Sequence, residues 1–392
     1  MDVPKTLLVT NDYPPRVGGV QRTLHALVEQ LPPDRVAVLA PKWEGWREYD
    51  AAQPYPIYRY PVEFLWPTPE LGLRARSIAR ETVAEVALFG HTLPTALLGP
   101  GLARHGIPYV VGSHGAEYWQ ALVPGLAALT RYATAHASRI AVMCSAFVAR
   151  TVRTVVNSDV PVSVLYPGAD VERFRPDLDA TEVRERYGLR DRPVLACVSR
   201  LVPRKGQDIL IRAMPAIRRR VPDAALLVVG GGESETELRR MAREIAPDGS
   251  VFFSGEVSEE ELPLHYAAGD VFAMPCRSRY LGLEVEGWGN VFIEAAACGK
   301  PSVAGDSGGA AEAVVDGETG LVVDGRHLGQ VAEAVAGLLD DPQRASRMGK
   351  AGRARVERSH TWPVIAERLA GWLREAARGS GGSSRVASGP PV

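Results

Sequence analysis

Two glutamates separated by seven residues stand out in the run EVEGWGNVFIEAAACGKP, residues 284–301. Glu286 precedes two glycines, Gly287 and Gly289, and Glu294 falls one turn into a helix that the pattern starts near Asn290. A carboxylate accepts two hydroxyl hydrogens at once, which suits the diols of a ribose or a hexose. The first N–H groups of a helix have no partner inside it, so those of Trp288, Gly289 and Asn290 suit a phosphate. The same residues equally suit an acidic helix start that complements the dipole. A glycosidase pair is the other chemistry two carboxylates suggest. The basic, glycine-rich surroundings favour a nucleotide instead.

Further groups bear on that choice. Arg200 and Lys205, five positions apart, follow the apolar run VLACVS, where a ligand phosphate would be neutralised. Gly18 and Gly19 lie between the apolar run TLLVT and an amphipathic pattern carrying Leu24, Leu27, Val28 and Leu31. Such glycines let backbone N–H groups approach an anion, and a plain turn explains them as well. His114 sits in GSHGAEYW, where a strand-end histidine serves hydrogen bonding or proton handling.

These groups need a scaffold of strands and helices to bring them together. Short apolar runs alternate with amphipathic helices, which reads as α/β with parallel sheets. Strands are expected near residues 7–10, 36–40, 109–112, 140–143 and 163–165. A second series begins at Val194 with VLACVS, AALLVVG, VFFSG, DVFAMP, PSVAG and GLVV, separated by helices. The segment YPGADVERFRPD divides the two series, and its prolines and glycine interrupt any helix. The expected division is therefore 1–167 and 168–360, each doubly wound, with an amphipathic helix near 361–377 and a low-complexity, disordered tail from 378 to 392. Ligands of such sheets sit beyond the carboxyl ends of the strands.

The totals narrow the class. In 392 residues the formal net charge is -1, which argues against nucleic-acid binding through bulk charge. No apolar run approaches the ~18 residues of a spanning helix, and the N-terminus does not read as a signal peptide. Four scattered cysteines lack metal-ligand spacing and read as buried thiols of a reducing, cytoplasmic setting.

Taken together, these motifs resemble the family 4 retaining glycosyltransferases of the GT-B fold, over nearly the whole chain. The nearest likeness within the family is to actinobacterial enzymes that transfer mannose from GDP-mannose to phosphatidylinositol mannosides. It rests on VTNDYPPRVGGVQ, FLWPTPELG, SRLVPRKGQDILIRAMP and HYAAGDVFAMPCR. The resemblance implies two Rossmann-like domains facing each other across a cleft, with the C-terminal helix returning to the first. It implies that Arg200 and Lys205 bind the donor diphosphate, Glu286 holds the sugar, His114 faces its 6-hydroxyl and Glu294 holds the ribose. Gly18 and Gly19 would lie beneath the diphosphate, backbone groups of Gly287 to Asn290 would assist, and those around Ser254, Gly255 and Val257 would meet the base. Asp12, Gln21 and Glu117 fall on the acceptor side. No metal or other cofactor is implied beyond the nucleotide-sugar substrate. Trp288, Asn290, Tyr280 and Leu281 depart from the family pattern where sugar and acceptor should sit, so a UDP-sugar and a soluble acceptor stay open beside GDP-mannose and a lipid. The segment FLWPTPELGLRARSIAR, 64–80, is apolar and basic, which suits either a solvated helix or peripheral contact with the anionic inner face of the cell membrane.

Overall fold

The computed structural model describes residues 1–115, 117–246 and 249–379, without the side chains of Tyr118 and Trp119. Its strands are short, apolar and mostly covered on both faces, the pattern of parallel sheets flanked by helices. The first sheet contains β1 (Thr6–Val9), β2 (Val36–Pro41), β3 (Ile57–Tyr60), β4 (Val86–Phe89), β5 (Tyr109–Ser113), β6 (Arg139–Val142) and β7 (Val162–Val164). The second contains β8 (Val194–Val198), β9 (Ala225–Val229), β10 (Val251–Gly255), β11 (Val271–Met274), β12 (Ser302–Gly305) and β13 (Gly320–Val323). Their orders are β3-β2-β1-β4-β5-β6-β7 and β10-β9-β8-β11-β12-β13, with parallel pairing throughout. Each sheet changes direction of winding once, between β1 and β4 and between β8 and β11. Those switch points are where such sheets open a crevice at the carboxyl ends of the strands.

The chain divides into two compact units. The first comprises Met1–Cys144, Val148–Tyr166 and the chain from Ile365; the second comprises Ser145–Phe147 and Pro167–Val364. The helix Trp362–Gly379 buries Ile365, Ala366, Leu369, Ala370, Leu373 and Ala376 along one side. A 2.8 Å ion pair between Arg139 and Glu375 ties it to the start of β6. This helix takes in Arg378 and Gly379, the first two residues of the expected tail, and 380–392 lie outside the described residues.

Helices follow from periodicity. In Gln207–Arg220, Leu210, Ile211, Ala213, Met214 and Ile217 form the buried stripe. Arg218, Arg219 and Arg220 occupy its last turn, where cations favour the helix dipole. Several elements escape the sequence reading, among them the helices Pro124–Thr134 and Ala146–Val155, and three show why. β3 is half-buried and lacks alternation. β4 continues the helical-looking run ETVAEVALF. The helix Pro342–Ser359 packs through Ala345, Met348, Gly349, Gly352 and Val356, whose small residues give a weak apolar signal. Its start is nonetheless marked by Asp341, whose side chain accepts from Arg344 N at 2.8 Å.

Candidate active site

In the second unit the candidate residues gather at the carboxyl ends of β8 to β12. β8 runs through Ser199 into a short 3₁₀ turn, Pro203–Lys205, that ends at Gly206 with φ 82°. A Cβ at Gly206 would strike the carbonyl of Pro275, so the turn passes hard against the end of β11 and only glycine fits. This close approach aims Lys205 across the switch point. Its Nζ lies 2.6 Å from Glu286 Oε2, and both side chains are about nine-tenths buried. Arg204 adds a second cation, with Nε 3.6 Å from the same oxygen and Nη1 3.5 Å from Glu284 Oε1. Arg200 is exposed at the end of β8, and its carbonyl accepts from Gln207 Nε2 at 3.0 Å.

The loop holding Glu286 is clamped by the turn after β12. Glu286 N donates to Ser307 Oγ at 3.3 Å, and Gly309 N donates to Glu286 O at 2.8 Å. A Cβ at Gly308 would collide with Glu286 O and one at Gly309 with Gly287 O. The helix Asn290–Ala297 starts from Gly289, φ 85°, with no side chain capping its first turn. The Trp288 ring is buried and stacked on His360 at 5.9 Å with the planes 8° apart. Glu294 accepts from the Tyr266 hydroxyl at 2.6 Å. Burial, with the Glu294 charge behind it, raises the Tyr266 phenol well above its ordinary value, so it stays a donor. Ser254 and Gly255 end β10, and Val257 follows two residues later. Gly255 O accepts from Gly230 N at 2.9 Å, which joins this end to that of β9.

In the first unit, Asp12 follows β1 and is the hub of the switch point. Gln21 Nε2 donates to its Oδ1 at 2.5 Å, and His91 Nε2 stands 3.2 Å from its Oδ2. His114 follows β5, with its ring 5.2 Å from that of His91, and its Nε2 is buried with no protein partner. Burial, reinforced by the neighbouring His91, lowers the His114 imidazole to about 3. Burial also lowers His91, against the pull of Asp12 and Glu117. Both rings are thus neutral donors and acceptors near neutral pH. Glu117 accepts from Thr92 Oγ1 at 2.6 Å, Ser113 Oγ at 2.7 Å and Gly115 N at 3.1 Å. The protein itself occupies both its oxygens, so Glu117 anchors the turn bearing His114 and is not presented as an open group. Gly18 has extended φ, and a Cβ there would meet only the Gln21 side chain. A Cβ at Gly19 would meet nothing within 4 Å. The fold therefore makes no demand for glycine at 19.

Comparison with known proteins adds to this geometry. Residues 17–173 match the profile of Glycosyltransferase Family 4, and residues 179–355 that of Glycosyl transferases group 1. The chain is 46% identical, over 93% of its length and 97% of the relative's, to a GDP-mannose-dependent alpha-(1-6)-phosphatidylinositol monomannoside mannosyltransferase of Mycolicibacterium smegmatis. The chain belongs to this family of glycosyltransferases. The glycosyltransferase is also 39% identical, over 95% of its length and 99% of the relative's, to a GDP-mannose-dependent monoacylated alpha-(1-6)-phosphatidylinositol monomannoside mannosyltransferase of Corynebacterium glutamicum. Its backbone resembles that of Anabaena Alr3699/HepE, solved with UDP, with a TM-score of 0.79 and 20% identity over 95% and 100% of the two chains. That likeness identifies the fold as GT-B.

Three groups at this site went unnoticed in the sequence. His91 follows a strand hidden by its helical-looking flank. Arg204 lies inside the segment read for Arg200 and Lys205. Ser307 is a loop serine, and only the GDSGG glycine pattern hinted that the chain turns tightly there.

Proposed function

We propose that this glycosyltransferase moves mannose from GDP-mannose, with retention, to a phosphatidylinositol mannoside at the inner face of the cell membrane. The observation that carries the reading is the 46% identity, across nearly the full length of both chains, to the mannosyltransferase of Mycolicibacterium smegmatis. The site chemistry is consistent with it. Transfer breaks the bond from the sugar's anomeric carbon to the diphosphate and forms one to the acceptor hydroxyl oxygen. Negative charge grows on the departing GDP, and its phosphate oxygen takes the acceptor's proton on the same face.

Lys205, Arg200 and the amides of Gly287 to Asn290 would stabilise that charge, already aimed before the reaction begins. Lys205 and Arg204 both engage Glu286 Oε2. This leaves Oε1 to accept sugar hydroxyls. The neutral His114 would offer its buried Nε2 to the 6-hydroxyl. Glu294, oriented by Tyr266, would accept from the ribose diol. Backbone at Ser254, Gly255 and Val257 would meet the base. Gly19 would let the diphosphate approach the helix Gly19–Glu29. Asp12 and Gln21 would address the acceptor, with Glu117 holding the His114 turn. Charge neutralisation comes from side chains and amides in this scheme, so no metal enters it.

Calorimetry with GDP-mannose, GDP-glucose, UDP-glucose and UDP-N-acetylglucosamine, with and without magnesium, tests the donor. Transfer of labelled mannose to phosphatidylinositol monomannoside in detergent micelles tests the acceptor. Selective, metal-independent binding of GDP-mannose followed by transfer is expected. Selective binding of a UDP-sugar would overturn the donor assignment. Transfer only to soluble acceptors would overturn the lipid.

A further inference from the structure

A second surface of the first unit lies outside this chemistry. The helices Glu117–Leu122 and Pro124–Thr134 form a hairpin. Its inner side is polar and buried. Thr130 Oγ1 donates to Gln120 Oε1 at 2.7 Å, Gln120 Nε2 donates to Thr92 Oγ1 at 3.3 Å, and Thr92 donates to Glu117. The outer side is apolar and open to solvent: Leu122 is 53% exposed, Val123 48%, Leu126 39%, Leu129 45% and Tyr132 53%. Leu126, Leu129 and Tyr132 follow one another at spacings of three on the second helix, and Leu122 and Val123 lie at the turn that leads into it. A single exposed leucine is ordinary, but five exposed large apolar residues within residues 122–132 mark an interaction surface.

Charge decides what the surface fits. From residue 118 to residue 158 the chain has no Asp or Glu, although it holds 46 of them in all. The same stretch has four arginines, Arg131, Arg139, Arg150 and Arg153, of which Arg139 is already ion-paired with Glu375. Arg131 lies on the outer side of the hairpin and reaches Thr154 O at 3.2 Å on the helix Ala146–Val155, which carries exposed Arg150 and Arg153. Exposed apolar residues beside arginines, in a stretch of chain that carries no acidic residue of its own, complement an anionic lipid surface.

The segment 64–80 is the competing candidate, because Phe64, Trp66 and Leu73 are exposed. It is a poorer match. Glu63 and Glu81 border it and Glu70 lies within it. Arg74 is stacked over Tyr58 at 5.6 Å, and Arg76 is 2.9 Å from His105 Nε2.

The geometry points to the outer face of the 117–134 hairpin, centred on Leu126 and Leu129, as the docking surface for an anionic bilayer. The inference rests on the lipid-acceptor reading above and extends it. The element that settles into the lipid is the one whose inner side anchors the turn bearing His114.

Sedimentation with vesicles of equal phosphatidylcholine and phosphatidylglycerol tests this, using the full chain. Wild type should co-sediment, less so as salt rises. The double variant Leu126→Asp/Leu129→Asp should bind roughly tenfold more weakly or worse, because both leucines lose their apolar burial in the lipid. Leu126→Ser/Leu129→Ser should follow in the same direction. Both variants should keep wild-type thermal unfolding and, within about twofold, wild-type turnover in detergent micelles, where no bilayer is needed. Undiminished binding by the double variants would overturn the proposal. So would loss of binding in Trp66→Ser/Leu73→Ser alone, or a wild-type dimer in ultracentrifugation that Leu126→Asp/Leu129→Asp dissolves. Failure of wild type to transfer mannose in micelles would instead count against the acceptor reading, and vesicle binding would still be decided by sedimentation.

Discussion

Lys205 and Glu286 are 81 residues apart in the chain and 2.6 Å apart in the fold, joined across the β8–β11 switch point. The pair is buried, and the turns of Gly206 and Gly309 hold its two sides in register. An ammonium in such a place is preorganised for a developing phosphate charge, and its carboxylate partner holds it there.

Removing either partner should separate catalysis from folding. Lys205→Met strands a buried carboxylate, which typically destabilises by ~3–5 kcal/mol. Arg204, 3.6 Å away, should hold the loss to the low end. Glu286→Gln retains an acceptor and should unfold nearer to wild type. Both should lower turnover by ~10²–10³-fold. Thermal unfolding beside steady-state rates checks this, and near-normal turnover in either variant would remove that residue from the proposed chemistry.

Two glycines should behave in opposite ways. Gly309→Ala drives a methyl into the Gly287 carbonyl, so melting temperature and activity should fall together. Gly19→Ala meets open space and should leave stability within ~1 kcal/mol, since Ala also favours the helix. It should nevertheless weaken donor binding, because the added methyl intrudes on the proposed path of the diphosphate. An unchanged donor affinity would dismiss that approach.

Tyr266 should act on the nucleotide only through Glu294. Tyr266→Phe frees the carboxylate to turn and should weaken GDP binding by roughly tenfold, about the worth of one charge-assisted hydrogen bond. Glu294→Ala should weaken it further and destabilise by ~1–3 kcal/mol, because it leaves the buried phenol without that acceptor. Calorimetric titration with GDP decides the matter. Wild-type affinity in Glu294→Ala would contradict the ribose assignment.

The pH dependence of stability has a definite sign. His114 titrates near 3 in the folded chain and near its ordinary 6.5 when unfolded. Between those values the unfolded chain binds a proton that the folded chain does not. His114 therefore makes stability fall as pH drops through that window, by at most ~1.4 kcal/mol per pH unit, and adds no slope above it. His91 acts in the same direction. Denaturant unfolding of wild type and His114→Asn from neutral to mildly acidic pH should give a shallower fall in the variant. Parallel curves would show that this histidine is not held neutral by the fold.

Much of the second sheet was legible because each of its strands is a dense apolar run bounded by glycine or proline. The glycine-flanked glutamates and the cations after β8 were legible for a similar reason: loops at strand ends concentrate unusual residues. Long-range pairing was not legible. Nothing local in PRKGQ states that Lys205 meets Glu286 and not solvent, since the contact depends on Gly206 passing Pro275 O. The resemblance put both Glu117 and Asp12 on the acceptor side and said nothing of their neighbours: Thr92, Ser113 and Gly115 occupy the first, and Gln21 and His91 meet at the second. A sequence shows that a carboxylate is present; the neighbours that claim its oxygens are set by tertiary packing.

The four cysteines are all buried thiols outside any disulfide, and burial pushes Cys197, Cys276 and Cys298 up to about 12. Thiolate is the reactive form, so the native chain should be nearly inert to alkylating reagents. Any labelling then timestamps an opening of the structure. Cys144 belongs to the first unit and the other three to the second. Pulsed alkylation read by peptide mass would therefore follow the breathing of each half of this enzyme separately, with no probe engineered into it.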